Sequence, residues 1–156
     1  VVQNLKIKLV STSESKFLKK YTDNIEAFSA YLRGRFHWNK RTADSLEKSI
    51  EYFRDAIELD PTYALAYCGL ADAYIILGIY GRFTPSKVMP QAIQAINTAL
   101  KFDQTIPEAN ISLGCVESIY NWNWREAEKH FLTGIKLNSN YAIVNERSKV
   151  MLDLRK

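Results

Sequence analysis

The sequence contains few of the residues on which metal and redox chemistry depend. Its 156 residues include only two cysteines and two histidines. Cys68 and Cys115 form no CxxC pair, and His37 and His130 lie far from both along the chain. Zinc sites use closely spaced Cys and His ligands. We therefore predict two buried, reduced thiols, with no metal site and no cofactor.

Motifs that mark the common enzyme classes are also missing. The sequence contains no GxSxG elbow, no GxxxxGK[ST] loop, no HExxH pair and no GxGxxG turn. Aspartate and glutamate are scattered along helical faces, where solvated or paired roles are far commoner than catalytic ones. We predict that the chain has no catalytic residues, although a longer protein containing it can carry a separate cyclase or kinase domain.

Long apolar runs and strong charge clustering are absent as well. No apolar run approaches the ~18 residues of a membrane span, and no signal-peptide pattern opens the chain. The formal net charge is +4. This is mildly basic, without the clustering of Lys and Arg that is usual for nucleic-acid-binding domains. These features predict a cytoplasmic domain without a membrane partner. The chain begins at Val1 rather than Met and stops at Lys156 within a helical pattern, so we expect a piece of a longer protein.

What the sequence does have is a recurring helical pattern. In each repeat, a helix that contains small residues is followed by a second helix with three characteristic positions, which we call its marks. The first mark is a small residue, the central mark is a large apolar residue and the third is again small. The marks are Ser49, Phe53 and Ala56, then Ala92, Ile96 and Ala99, then Ala127, Phe131 and Gly134. The central marks are 43 and then 35 residues apart, near the period of about 34 of helix–turn–helix arrays. Such arrays stack helical hairpins and offer a concave face to a partner.

Capping and turn signals divide the chain into a lead-in over residues 1–24 and a repeat domain over 25–156. In the lead-in, Ser11–Glu14 reads as a capping box for a short helix through Lys20. Periodicity then predicts helices over 25–38, 45–59, 63–78, 86–102, 107–120, 124–137 and 141–154. These group into repeats over 25–61, 62–104 and 107–140, with a partial fourth repeat at 141–154.

Several helix ends carry their own signals. Thr42 or Asp44 can cap the second helix, and Gly78 is a plausible C-cap of the third. Pro90 is tolerable only in the first turn of the helix over 86–102, and the loop that precedes this helix, from Ile79 to Pro85, is long for a helical hairpin.

The run from Pro61 to Tyr74 resembles a tetratricopeptide repeat. Aromatic Tyr67, Leu70 and small Ala71 occupy the family's first-helix positions. The resemblance implies an all-α right-handed superhelix of about three hairpins, in which small residues let helix axes approach and aromatic rings fill the gaps.

Three segments carry a closer resemblance, over about residues 1–140: AFSAYLRGRFHWNKRT, YALAYCGLADAYIILG and YNWNWREAEKHF. They are similar to repeat regions that follow bacterial signalling modules, including class III adenylate and guanylate cyclases, winged-helix transcriptional regulators of the cadaverine-regulator type and some serine/threonine kinases. The resemblance implies protein–protein interaction or regulation of an adjoining effector domain. The loop over 79–91 departs from the minimal repeat.

Family positions carried onto this sequence predict an inner groove that binds a peptide or helix. Its residues are Phe28, Tyr31, Arg35, Trp38, Leu65, Cys68, Asp72, Ile75, Glu108, Ile111, Cys115 and Ile119. The alternative is that many of them pack on neighbouring hairpins or on the lead-in. Asp72 and Glu108 stand at inner positions where chaperone-binding repeats instead use Lys, Asn and Arg to hold a peptide carboxylate, so that role is not implied.

Three further hypotheses concern surfaces outside this groove. Residues 33–41 interleave basic and aromatic side chains, a pattern that can grip phosphates and stack bases. The alternative function is therefore a nucleic-acid-associated accessory domain of a transcriptional regulator. For Trp122 and Trp124 we expect one ring to plug a hairpin and the other to be partly exposed. The helix over 141–154 can pair with a second copy and form a homodimer.

Overall fold

The computed structural model describes residues 21–80 and 82–137, and within these ranges the regular structure is entirely α-helical. The helices are α1 (Ile25–Asn39), α2 (Ala43–Leu59), α3 (Ala64–Ile79), α4 (Pro85–Phe102), α5 (Pro107–Ile119) and α6 (Trp124–Leu137). The predicted helices between residues 25 and 137 are confirmed to within two residues at each end. The short helix through Lys20 and the helix over 141–154 lie outside the described residues.

The helices pair as three successive hairpins. Helix α1 packs on α2, α3 on α4 and α5 on α6. Contacts from α1 to α3 and from α3 to α5 join the first helices of the hairpins into an inner row, and α2, α4 and α6 form an outer row. Further contacts of α2 with α3 and of α4 with α5 stack each hairpin on the next. The arrangement is the all-α superhelix that the repeat pattern predicts.

Side-chain caps determine where the first two helices begin. The side-chain oxygen of Asn24 accepts hydrogen bonds from the backbone N–H groups of Glu26 and Ala27, both at 3.0 Å. Thr42 caps α2 by accepting from the Ser45 N–H at 3.3 Å, whereas Asp44 lies in the first turn. A capping side chain satisfies backbone donors that have no partner within the helix.

Gly78 was expected to be the C-cap of the third helix, but the helix does not end there. Helix α3 continues to Ile79 and its C-cap residue is Tyr80. A Cβ atom on Gly78 would lie 3.0 Å from the side chains of both Met89 and Val88. The missing side chain therefore serves the packing of α3 on α4 and does not end the helix.

Helix α4 begins at Pro85, one residue before the predicted start, so much of the 79–91 segment that departs from the minimal repeat is helical. This start places Pro90 in the second turn of the helix and not in the first. Proline cannot donate a hydrogen bond to the carbonyl of Ser86, four residues earlier. Both residues are exposed, so water can bind that carbonyl and the helix continues.

Glycines and phenylalanines hold the hairpins together. Phe53 on α2 lies where Cβ atoms on Gly34 and Gly69 would come within 2.6 and 2.5 Å of its Cε1 atom. In the third hairpin, a Cβ on Gly114 would lie 2.5 Å from Cε1 of Phe131. Both rings are almost fully buried. The expectation that small residues allow close helix approach around aromatic rings is confirmed.

None of the described helices has the length and apolar character needed to cross a membrane.

Candidate protein-binding groove

The twelve residues predicted to line the groove all lie on the inner row, and burial divides them into two groups. Four are partly exposed: Arg35, Asp72, Glu108 and Ile119. Eight are buried: Phe28, Tyr31, Trp38, Leu65, Cys68, Ile75, Ile111 and Cys115. The partly exposed group supplies most of the polar chemistry. Members of the buried group pack within the hairpins: the Tyr31 ring lies against those of Phe53 and Tyr63, and Ile111 packs against Gly134 of α6. Whether this set contacts a partner stays a prediction.

A polar cluster crosses the inner row at its centre. The guanidinium Nη1 of Arg35 on α1 lies 3.3 Å from Oδ2 of Asp72 on α3. The hydroxyl of Ser112 on α5 donates a 2.8 Å hydrogen bond to the other carboxylate oxygen, Oδ1. The ion pair is largely shielded, with 18% and 15% of the two side chains exposed. One carboxylate thus links the first helices of all three hairpins.

Stacked cations occupy the end of α1. The guanidinium carbons of Arg35 and Arg41 lie 4.1 and 3.5 Å from the centroid of the Trp38 ring. The Lys40 ammonium lies 4.6 Å from the centroid of Phe36. Cation–π contacts of this kind stabilise the local fold. Three cations of the basic and aromatic segment over 33–41 thus contact rings of their own chain, which favours a packing role over phosphate binding.

The electrostatic environment beside this cluster is acidic. Burial raises the pKa of the Cys68 thiol well above its ordinary value, and the carboxylates of Glu108 and Asp72 raise it further. The cation of Arg35 opposes them only in part. Cys68 and Cys115 are both buried, as predicted, and neither forms a disulfide. Among the described residues, no group of His, Cys, Asp and Glu side chains is placed to hold a metal ion.

Comparisons with known proteins agree with this architecture. A family model described as a tetratricopeptide repeat matches residues 52–82. Among solved structures, the Arabidopsis OM64 TPR domain covers 80% of this chain with a TM-score of 0.60 at 18% identity, and 93% of that chain is matched. The first TPR of Spaghetti (RPAP3), bound to the HSP90 peptide SRMEEVD, covers 86% with a TM-score of 0.61 at 16% identity, matching 96% of that chain.

The hairpins have the tetratricopeptide-repeat (TPR) fold.

Curated relatives are similar to part of this chain. The transcriptional regulator HilA of Salmonella typhimurium is 26% identical over 99 residues, which are 64% of this chain and 18% of HilA. The Hsp70-Hsp90 organising protein of Plasmodium falciparum is 31% identical over 94 residues, which are 60% of this chain and 33% of that protein. The match thus spans a third or less of the length of either relative.

Ser112 also belongs to the polar cluster, although no pattern in the sequence singled it out. Serine is common on helix surfaces, and only the contact between α3 and α5 brings its hydroxyl to Asp72. One signal was available: Ser112 lies four residues after Glu108, so the two share a helical face.

The two tryptophans of the third hairpin also differ from expectation. Neither ring plugs the hairpin: Trp122 is 72% exposed and Trp124 is 45% exposed. Their centroids are 6.4 Å apart in an edge-to-face arrangement. Trp122 has a positive φ of 55°, which turns the chain sharply between α5 and α6 and directs the side chain outward.

Proposed function

We propose that this TPR domain is a non-catalytic protein–protein interaction module of a bacterial cytoplasmic signalling protein, binding a peptide or helix along its inner row. The observation that carries the proposal is the row formed by α1, α3 and α5, joined at its centre by the polar cluster of Arg35, Asp72 and Ser112, whose ion pair is partly exposed. Amphipathic segments bind such grooves through apolar anchors and a few polar contacts.

The charges of the groove favour a particular partner chemistry. Glu108 lies on α5, and Asp72 on α3 is balanced by Arg35. Each of these two carboxylates raises the pKa of the Cys68 thiol, so both act on the same region of the groove. A segment with apolar anchors and Lys or Arg between them complements this field, whereas an acidic peptide is repelled.

The related proteins support binding of a peptide and a regulatory context. One structural neighbour is a TPR in complex with an HSP90 peptide, and one relative is a transcriptional regulator. By analogy, an adjoining domain of the same protein is a suitable partner, and the effector is a cyclase or a transcription factor. A homodimer through residues 141–154 is a further part of the proposal.

Defined probe peptides test the proposal. We would measure fluorescence anisotropy with two labelled amphipathic 12-mers of the same apolar sequence, one with Lys and one with Glu at the polar positions, and with SRMEEVD. The Lys peptide should bind with micromolar affinity, and the two acidic peptides at least tenfold more weakly. Equal binding of all three peptides, or no binding of the Lys peptide, would contradict the proposal.

A charge-reversal pair locates the binding surface. Glu108→Lys on the inner row should weaken binding of the Lys peptide at least tenfold because it reverses a groove charge. The matched control is Glu51→Lys on the outer row, an exposed position, which should leave the affinity unchanged. Loss of binding in the control alone would place the ligand on the outer row and refute the groove.

A further inference from the structure

We propose that Trp122 and Trp124, at the turn between α5 and α6, form a second binding site that takes a proline-rich segment of a partner protein. The two rings lie outside the set of inner-row residues, so this site is distinct from the peptide groove and its failure leaves that groove untouched. Four features carry the proposal: the turn, the backbone of Trp122, the chemistry of the two rings and the local charge.

The turn that carries the two rings is fixed by hydrogen bonds. The backbone N–H groups of Asn121 and Asn123 donate to the carbonyls of Val116 and Glu117 at 3.2 and 2.8 Å. The Asn121 side-chain amide also donates to the Glu117 carboxylate at 3.1 Å. The rings are therefore presented by an ordered turn, and little conformational entropy is lost when a ligand binds them.

Trp122 has a backbone conformation that tryptophan disfavours. Its φ of 55° lies in the left-handed region, where glycine is the usual residue after a helix. A bulky side chain at such a φ is unfavourable and persists where the surrounding structure or a function requires it. The ring is 72% exposed, so burial within the described part of the chain does not offset this cost. Contact with a partner does.

The two rings form a shallow notch, and each supplies a hydrogen-bond donor. Their centroids lie 6.4 Å apart with 72° between the planes, so the edge of one ring faces the other. Among the described residues, no atom accepts a hydrogen bond from either indole N–H. An indole nitrogen donates but does not accept. The notch thus suits an apolar ring that stands beside a carbonyl oxygen.

Proline-rich segments have this chemistry. Their pyrrolidine rings dock on aromatic side chains, and the polyproline II helix leaves its backbone carbonyls without internal partners. Proline has no N–H and needs no acceptor. The side-chain acceptors of the turn are already engaged, because Glu117 accepts from Asn121 and Asn123 accepts from the Glu126 N–H. A ligand that brings acceptors and requires none is favoured.

The local charge separates a peptide from a nucleic acid. Exposed tryptophan rings can also stack on bases, but such sites use lysine and arginine to attract the phosphates. Residues 117–126 contain two carboxylates, Glu117 and Glu126, and one cation, Arg125. This balance favours an uncharged ligand.

Binding of a labelled decaproline peptide to the full chain tests the proposal by fluorescence anisotropy. Decaproline should bind at least tenfold more tightly than a Gly-Ser decapeptide, and Trp122→Ala should weaken its binding about tenfold or more. The matched control is Phe36→Ala, which removes an exposed ring on α1 and should leave the affinity unchanged. Equal binding of the two peptides, or equal losses in the two variants, would overturn the proposal.

Trp122→Gly distinguishes a binding role from a structural one. It removes the ring and places at the left-handed φ a residue that tolerates it. The unfolding temperature should rise, while decaproline binding falls about tenfold or more as in Trp122→Ala. A lower unfolding temperature would show that the ring serves the fold of the turn, and would overturn the proposal.

Two other occupants give different results. If the rings pair with a second copy of this chain, analytical ultracentrifugation shows a dimer that Trp122→Ala dissociates, and decaproline does not bind. If the rings stack on bases, a labelled oligothymidylate of ten nucleotides binds with strong salt dependence, and decaproline does not. Either result would overturn the proposal.

Discussion

The two junctions between hairpins use the same turn but fill their interiors differently. Between α2 and α3, Asp60 accepts hydrogen bonds from the backbone N–H of Thr62 at 3.0 Å and from its hydroxyl at 2.7 Å. Between α4 and α5, Asp103 accepts from Thr105 in the same way, at 2.9 and 2.7 Å. Short Asp-x-Thr sequences thus form the same side-chain-supported turn twice.

The interiors of the two junctions have different compositions. Near the first junction, the ring of Tyr31 lies 5.7 Å from that of Phe53 and 5.5 Å from that of Tyr63. The equivalent positions of the second hairpin and junction hold the aliphatic residues Ile96 and Ile106, both fully buried. The turn is therefore a local property of the chain that both junctions share, whereas the side chains that fill the two interiors differ.

The largest expected effect is a cavity at the aromatic junction. Phe53→Ala should lower the free energy of unfolding by about 3–5 kcal/mol, because the ring fills space that Gly34 and Gly69 leave open. Ile96→Ala in the second hairpin should cost about 2–4 kcal/mol. Urea unfolding followed by circular dichroism measures both. The control is Phe36→Ala on the exposed side of α1, with a change within about 0.5 kcal/mol. A larger loss for Ile96→Ala would reverse the comparison.

Overpacking tests the same junction in the opposite direction. Gly69→Ala would place a Cβ atom 2.5 Å from the Phe53 ring, and should destabilise by about 1–3 kcal/mol. Gly78→Ala is the matched control within the same helix, because its closest neighbours are the end of the flexible Met89 side chain and a methyl group of Val88, both farther away at 3.0 Å. Its effect should stay below about 1 kcal/mol, since alanine favours the helix more than glycine. Thermal unfolding of both variants measures the difference, and equal shifts of the unfolding temperature would contradict the tight fit at Phe53.

At Tyr63 we expect a substitution to increase the stability of the fold and not to decrease it. Within the described residues, its hydroxyl is buried and has no hydrogen-bond partner, and burial followed by the charge of Asp60 raises its pKa. A buried polar group without a partner is unfavourable. Tyr63→Phe should therefore raise the free energy of unfolding by about 0.5–1 kcal/mol, making this junction more like the aliphatic one. Chemical denaturation measures the gain, and a loss of stability would show that the hydroxyl contributes to the fold.

The smallest effect concerns the pH dependence of the first junction. Partial burial acts to raise the pKa of Asp60, but hydrogen bonds from Thr22 and Thr62 outweigh it and lower the pKa below its ordinary value. This contribution to stability is present above the unfolded-state pKa of about 3.9 and is lost as the pH falls through the folded-state pKa.

Thr22→Val removes one of these donors, so stability should fall less between about pH 5 and 3 than in wild type. The difference should be below about 1 kcal/mol because the site is partly solvated. Unfolding at several pH values tests it against Thr133→Val, an exposed position on α6, whose pH profile should match wild type. An identical profile for Thr22→Val would contradict the role of that bond.

Helix positions and the repeat type could be predicted from the sequence because they depend on local signals. Asn24 and Thr42 mark helix starts by capping and Pro107 does so by its fixed φ, and the small and large apolar marks recur near the repeat period. Gly78 and Pro90 misled the prediction, since a glycine can serve helix packing and a proline can be tolerated where its free carbonyl meets water.

The twelve groove positions could be named from the sequence, but their burial and chemistry could not. The sequence alone determined three helical hairpins with small and large residues in register, because periodicity, caps and turns act over a few neighbouring residues. The tertiary structure alone decided that Asp72 joins Arg35 to Ser112 and that Arg35 and Arg41 stack on Trp38. The Arg35–Asp72–Ser112 link spans residues some 40 positions apart in the chain, and only the stacking of one hairpin on the next brings such residues together.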